Sequence, residues 1–431
     1  MEKVKYRRGS DNSSEQKYLI LYFNLKKVLY LTVDGLTDPL GQSQILPYLK
    51  GLSAYGYEVT IVSLEKELRL FESKQFIIEQ CESSGIIWDY VTYKKSIPIL
   101  SQYLNFRNLR ALALEKCAIE NYDIVHCRSY LSAMVGNDLR EKFKLKFIFD
   151  MRGFWPDERV EGKTWNLLNP VHKLLYSFFK FQEKKLISSA DGVVVLTNRA
   201  KDYISKNYKL KLTQSIFVIP CCVDLDLFNP ESLNRDRLSK LRRDLGISEN
   251  KFILTYVGSV GTWYMLAEMI TFFNQLKKKI DSHFLIVSQD NKDEIERRML
   301  DSGLDFSNFS ILSASRLDVP YAIAVGNLSL FFIRPTFSKI ASSPTKLGEI
   351  LAMGVPVVTN CGVGDVDDVL IEGKCGFLLK DFSEDGMKQI VDSIIDRPIP
   401  SSLHCRSIAA QRFSLESGVT LYKNVYEAIQ K

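Results

Sequence analysis

The sequence predicts an α/β protein built from two parallel-sheet domains that face one cleft. Three observations predict it. Apolar runs of strand length alternate with longer helical patterns along the whole chain, as expected for parallel strands covered on both faces by helices. The alternation pauses in a polar stretch at 220–240, with prolines at Pro220 and Pro230, and then restarts. The length of 431 residues also exceeds a single ordinary domain of roughly 100–200 residues.

Residues 1–25 read as a loose polar extension, whose apolar island from Tyr18 to Phe23 is too short to span a bilayer. The first domain, 26–220, opens with the strand KVLYLTVD (27–34) and the helix SQILPYLKGLSAYG. Further strands are expected at 57–64, 122–127, 146–150, 191–197 and 215–220. The second domain, 221–400, restarts at KFILTYVGS (251–259), with strands at 282–289, 309–313, 328–335 and 355–360. A helical segment, 401–431, follows, and whether it crosses back to the first domain is left open.

Composition narrows the function. A net charge of +6 and a pI near 8.7 suit an anionic substrate or a lipid surface and are too weak to imply nucleic acid. The eight cysteines lack zinc-like CxxC spacing and read as reduced thiols of a cytoplasmic protein. No G-x-G-x-x-G follows the first strand, which argues against a dinucleotide site.

Open parallel sheets bind ligands at the carboxyl ends of their strands, so the strand-end loops are where the chemistry is expected. SSPTKLGEILAMGVPVVTN, Ser342–Asn360, lies after the strand at 328–335. Ser343 reads as a helix N-cap and Pro344 as the first helical residue. Leu347, Ile350 and Leu351 form the buried stripe, and Gly354 ends the helix. Free N–H groups, the hydroxyls of Ser342, Ser343 and Thr345, and the charge of Lys346 would suit a phosphate. Arg334 and Lys339 lie just upstream. A well-capped helix with a solvated basic end explains the same residues.

This stretch resembles the donor-nucleotide motif of family 4 glycosyltransferases, retaining enzymes of the GT-B fold, of the kind found in bacterial polysaccharide assembly. The resemblance covers nearly the whole chain after residue 26. It implies two Rossmann-like domains and transfer of a sugar from a nucleoside diphosphate sugar, such as a UDP-sugar, to a glycan or lipid-linked acceptor. It implies no metal and no cofactor beyond the donor, and a cytoplasmic enzyme, peripheral on the inner face of the membrane. Glu349 matches the second of two family glutamates and would hold the ribose. The first falls at Ala341, so that acid is absent and Ser342 or Ser343 would stand in.

Gly41 and Gln42, where the first loop meets its helix, would lie close to donor or acceptor. YVGSVGTWYML (256–266) resembles the first loop of the nucleotide domain. Gly258 and Gly261 let backbone approach phosphate, while Ser259 replaces the usual arginine. Val319–Tyr321 falls at the base-binding loop. On the first domain, many members have a histidine at the position of Asp150. Asp150, Lys346 and Glu349 are therefore the expected catalytic set.

Other residues keep two readings each. His126, with Arg128, is either strand-end packing or part of the acceptor side. Arg152 and Arg159 either grip an anionic acceptor or form an ion-pair network with Asp157 and Glu158. Asp365, Asp367 and Asp368 read as a helix start rather than a metal site. LLNPVHKLLYSFFKFQEKKLI (167–187) is amphipathic, either core or a membrane-docking face. Two functions stand beside transfer: a nucleotide-sugar epimerase of the same fold, and a catalytically silent nucleotide-sugar-binding partner.

Overall fold

The computed structural model describes residues 26–210 and 214–430; the extension expected at 1–25 lies outside them. The first sheet holds β1 (Lys27–Thr32), β2 (Glu58–Glu65), β3 (Ile87–Thr92), β4 (Ile124–Arg128), β5 (Lys146–Asp150), β6 (Gly192–Val195) and β7 (Ser215–Val218). The second holds β8 (Phe252–Val257), β9 (Ser282–Val287), β10 (Phe309–Leu312), β11 (Leu328–Phe331), β12 (Val357–Asn360) and β13 (Gly376–Leu379). The strand orders are β3-β2-β1-β4-β5-β6-β7 and β10-β9-β8-β11-β12-β13. Both sheets are parallel throughout, so each domain is Rossmann-like, with its order reversing beside the first strand.

That reversal is where loops on opposite sides of the sheet part and leave a crevice. It occurs between β1 and β4 in one domain and between β8 and β11 in the other. Central strands such as β4 and β9 are buried along their whole length, which is why each reads as an unbroken apolar run. Two edge strands had no such signal. In β3 every residue is at least partly exposed, and β13 has only four residues.

The predicted helix at 43–56 is two: Pro39–Gln44 and Leu46–Ala54. Its break at Ile45 precedes Pro47, which cannot donate the hydrogen bond an unbroken helix needs. The 401–431 segment also divides. Ser402–Phe413 stays on the second domain, where Cys405, Ile408, Ala409 and Phe413 join its core. Leu415–Ala428 crosses back, and Val419, Tyr422, Val425 and Tyr426 enter the core of the first. The two crossings touch: the Val223 N–H donates to Phe413 O at 2.7 Å, and the Leu415 N–H to Val223 O at 2.9 Å. Among the described residues no helix is long and apolar enough to cross a membrane.

Candidate active site

After β11 the chain makes a short turn, Phe337–Ala341, before the helix Thr345–Ala352. The N-cap is Pro344, not the expected Ser343, and no side chain caps the helix. The Ser343 hydroxyl is occupied elsewhere: its Oγ accepts the Cys221 backbone N–H at 3.1 Å. The first-turn N–H groups of the helix are therefore left without side-chain acceptors. Ser342, Ser343, Pro344 and Thr345 line a cavity of about 230 Å³ with Arg152, Trp263, Tyr264 and Lys339.

Lys346 is buried, and its ammonium lies among aromatic rings. It is 3.7 Å from the ring centroid of Tyr264, 4.6 Å from that of Tyr256, and 3.4 Å from the Tyr256 hydroxyl. Glu349, one turn on, pairs with Arg316 instead, so among the described residues no carboxylate forms an ion pair with the amine. Burial pushes the amine down to about 7, with Glu349 pulling partly the other way. Above it lies Gly258, at φ +136°; a β-carbon there would stand 2.4 Å from Lys346 Nζ. A desolvated amine under bare backbone, beside an uncapped helix start, would be stabilised by an anion placed there.

Glu349 is likewise buried, and its Oε1 accepts from Arg316 Nη1. Arg316 also lies over the Phe228 ring at 4.7 Å. No motif singled it out; the only signal was an arginine closing a strand-end loop just before Val319. It lines a cavity of about 510 Å³ with Gln42, Gly258, Ser259 and Val319, so both domains contribute. Thr37 lines the same space. Its loop is held by buried Glu65, which accepts the Leu36 and Thr37 N–H groups at 2.7 and 3.1 Å, a role the sequence did not disclose. Gly261 is exposed. Gly41 sits away from this space, against the Gly35 carbonyl, where a β-carbon would stand at 2.1 Å; its smallness serves the turn.

On the first domain, Asp150 is fully buried, so it supports the wall rather than reaching the cavity. Its Oδ2 accepts the Tyr422 hydroxyl at 2.8 Å and lies 3.7 Å from His126 Nε2. Burial raises its carboxyl, but Arg152, then His126 and Arg128, outweigh that and hold it below its ordinary value. His126 shares a 2.8 Å hydrogen bond with Tyr426 through Nδ1. Burial lowers its imidazole despite Asp150, leaving it neutral at pH 7. Arg128 is tied to Asp34 at 3.0 Å.

Arg152, at φ +58°, is the strand-end residue that reaches the cavity. Its guanidinium lies 3.8 Å from Asp150 Oδ1 and donates to Cys221 Sγ at 3.3 Å. It thus shares one cavity with the helix start of the second domain instead of standing on a separate acceptor wall. Arg159 makes no ion pair among the described residues and lies over Trp155 at 4.9 Å. The predicted network with Asp157 and Glu158 is absent: Asp157 pairs with Lys180 and Glu158 with Lys339, each at 2.9 Å.

Lys339 therefore bridges the domains, with its amine 3.7 Å from the Trp263 ring centroid. Beside it, Phe337 stacks on Phe154 and Ala341 is buried in the core of the first domain. The position where the family carries a glutamate is here an apolar contact. Arg334 is held to Trp263 O through its backbone N–H at 2.9 Å. Asp365 is the N-cap residue of the helix Val366–Gly373, with Asp367 and Asp368 in its first turn, as a helix start requires; its carboxylate makes no bond to its own helix and accepts the Asn198 N–H of the first domain at 2.7 Å. Asp367 pairs with Arg199 at 2.9 Å.

Comparison with known proteins matches this two-domain plan. Residues 44–227 match the family model described as Glycosyltransferase Family 4, and residues 239–412 that described as Glycosyl transferases group 1. An uncharacterized glycosyltransferase of Methanocaldococcus jannaschii is 23% identical over 60% of this chain and 64% of its own length. Alpha-monoglucosyldiacylglycerol synthase of Streptococcus pneumoniae is 22% identical over 58% of this chain and 54% of its own. The matched region is thus less than two thirds of either curated relative. A Rickettsia africae glycosyltransferase superposes with a TM-score of 0.68 at 18% identity, over 95% of this chain and all of that one. Anabaena HepE, in complex with UDP and glucose, gives 0.66 at 16% identity, over 94% and 99%. At these identities the structural likeness is one of fold.

Proposed function

The chain belongs to the family 4 type of glycosyltransferases, and from that premise we propose that it moves a sugar from a UDP-sugar to an acceptor hydroxyl with retention at the anomeric carbon. The observation that carries this reading is Lys346, a buried amine without an ion-pair partner among the described residues, beneath Gly258 and beside an uncapped helix start.

In the proposed reaction the bond from the anomeric carbon to the diphosphate breaks, and the acceptor oxygen bonds to that carbon on the same face. The acceptor proton passes to the departing phosphate oxygen. No protein nucleophile is needed. Negative charge grows on the leaving diphosphate, where Lys346, Arg152 and the helix N–H groups would stabilise it more than in the ground state. Glu349 would take the ribose hydroxyls through Oε2, since Arg316 holds Oε1. Asp150 would act through Arg152, whose charge it anchors.

The UDP-bound state of HepE supports a uridine donor, and the diacylglycerol glycolipid in one relative's name supports a lipid-borne acceptor. The free cysteines of the described residues support a reducing, cytoplasmic setting. A thermal-shift panel of nucleotides and nucleotide sugars, followed by transfer assays and anomeric assignment of the product by NMR, tests the reading. A product of inverted configuration, or the absence of any nucleotide that stabilises the chain, would refute it. The apolar burial of Ala341 favours one second reading, a silent nucleotide-sugar binder, which would bind the donor yet neither transfer nor hydrolyse it.

A further inference from the structure

We infer that Glu65 is a positioning residue of the site: through Thr37 it fixes the amide of Gln42, whose free oxygen accepts a hydroxyl of the bound nucleotide sugar. The inference rests on the proposed use of a nucleotide sugar and deepens it.

Glu65 ends β2 and is fully buried. Among the described residues it forms no ion pair. A buried carboxylate without a cation is costly, and it persists where hydrogen bonds replace the water it has lost. Four neutral groups supply them. Oε1 accepts the Leu36 N–H at 2.7 Å and the Ser63 hydroxyl at 2.5 Å. Oε2 accepts the Thr37 N–H at 3.1 Å and the Thr37 hydroxyl at 2.5 Å. From β3, Trp88 Nε1 donates to the Ser63 hydroxyl at 2.9 Å and steadies it. Gly35 permits the approach, since a β-carbon there would stand 2.6 Å from Oε2. A glutamine at 65 would turn two hydrogens toward groups that themselves donate, so the arrangement is specific to an acid.

What the acid adds is direction. Two consecutive N–H groups on one carboxylate fix the backbone of the loop between β1 and the first helix, and with it the Thr37 carbonyl. That carbonyl accepts Gln42 Nε2 at 3.1 Å. The amide thus spends its nitrogen on its own loop. Its Oε1 has no partner among the described residues, and the side chain lines the cavity of about 510 Å³ with Gly258, Ser259 and Arg316 of the second domain. An amide held by its nitrogen offers an acceptor, so it selects a group that brings a hydrogen. The hydroxyls of a ribose or of the transferred sugar bring one; ionised phosphate oxygens do not. The other ties of this loop, Asp34 to Arg128 and Asp38 to Lys66, flank Thr37 without reaching it.

The test is calorimetry with uridine, UDP and UDP-glucose. Gln42→Ala should weaken binding about two- to tenfold, the range for one neutral hydrogen bond. A loss shared by all three ligands assigns the bond to ribose; a loss confined to UDP-glucose assigns it to the sugar. Glu65→Gln should weaken the same ligands by a similar factor. The double variant should lose no more than the larger single change, since one chain of bonds is broken once. Thr37→Val should fall between the wild type and Glu65→Gln, and Thr37→Ser, which keeps the hydroxyl, should bind as the wild type does. Asn105→Ala removes another buried side chain that holds a loop of the first domain, through the Lys94 N–H at 2.8 Å; it should lower the melting temperature and leave the affinities unchanged. Circular dichroism establishes that each variant is folded. If Glu65→Gln does not fold, Thr37→Val paired with Gln42→Ala decides by the same criterion. A wild type that binds none of the three ligands refutes the proposed nucleotide, and this inference falls with it. If the wild type binds, the inference alone is overturned when Gln42→Ala or Glu65→Gln leaves every affinity as it was, or when their effects add.

Discussion

Gly258 and Lys346 are matched to each other: the bare α-carbon of one leaves the space that the ammonium of the other fills, and a β-carbon would stand 2.4 Å from that nitrogen. Gly258→Ala therefore displaces the amine and also forces a side chain onto a φ of +136°, which costs about 1–3 kcal/mol. The expected outcome is a folded, less stable chain whose UDP affinity falls more than its uridine affinity. Equal affinities to the wild type, measured by calorimetry, would remove the amine from the diphosphate site.

Lys346 carries a pH signature. In the unfolded chain its amine keeps a proton to an ordinary value of 10.5; in the folded chain it holds one only to about 7. Between those limits the unfolded state binds more protons, so stability rises with pH across the window. Lys346→Met should flatten that slope and raise stability at pH 7 by about 1–3 kcal/mol, because a buried polar group is replaced by an apolar one. It should abolish tight UDP-sugar binding. In the wild type, a bound diphosphate restores the proton, so affinity should be level below about pH 7 and fall above it. Calorimetry in buffers of different ionisation heat should register proton uptake; none, at pH 8, would contradict the linkage.

Glu349→Ala should weaken uridine and UDP by similar amounts, about 1.5–3 kcal/mol, the value of a charged hydrogen-bond partner. The contrast with Lys346→Met, which spares uridine, separates ribose from phosphate. A double-mutant cycle with Arg316→Met should show coupling, since the two side chains are bonded. If Glu349→Ala weakens only UDP, the ribose assignment fails.

Tyr422→Phe removes the hydroxyl that donates to buried Asp150 Oδ2. The carboxylate would lose a charge-assisted bond, at a cost of about 1.5–3 kcal/mol in urea unfolding. The same change should slow transfer, because Arg152 depends on Asp150 for its position. A variant as stable and as fast as the wild type would show that the C-terminal helix contributes packing alone.

Much of this was legible in advance. Buried central strands announce themselves as apolar runs, and Leu347, Ile350 and Leu351 fell on the buried face of their helix as their spacing requires. The edge strands β3 and β13 did not, since a half-exposed or four-residue strand leaves no run to read. The cap at Ser343 was misread because a tertiary partner, Cys221, outbid the local one; Asp365 does begin its helix as expected, with its carboxylate turned to a helix of the other domain. Arg316 and Glu65 could not be placed, because the loops they hold come together only on folding. Asp150 was read as catalytic because it stands where the resembled family has a histidine; two arginines, a histidine and a tyrosine from the far end of the chain enclose it instead.

Ala341→Glu puts an acid where the resemblance to the family motif would place one. Here that side chain would enter the apolar core shared by Ile340 and the first domain. The expected result is destabilisation by at least about 2 kcal/mol, or a widened particle in small-angle scattering, and no gain in donor affinity. Tighter UDP-sugar binding without loss of stability would show that the turn at 337–341 rearranges to present the acid.

The paired crossings at Val223 and Ser414 act mechanically as a pivot pin. With the outgoing and returning strands of chain clasped together, any rotation of one domain against the other about that line would sweep an arc in proportion to distance from it. Ser343 and Arg152 both bond to Cys221, two residues from the pin. The proposed phosphate site therefore lies near that line, where a large rotation at the rim would become a small displacement. A wide mouth would then open while Arg152 and the helix start at Ser343 hardly changed their spacing.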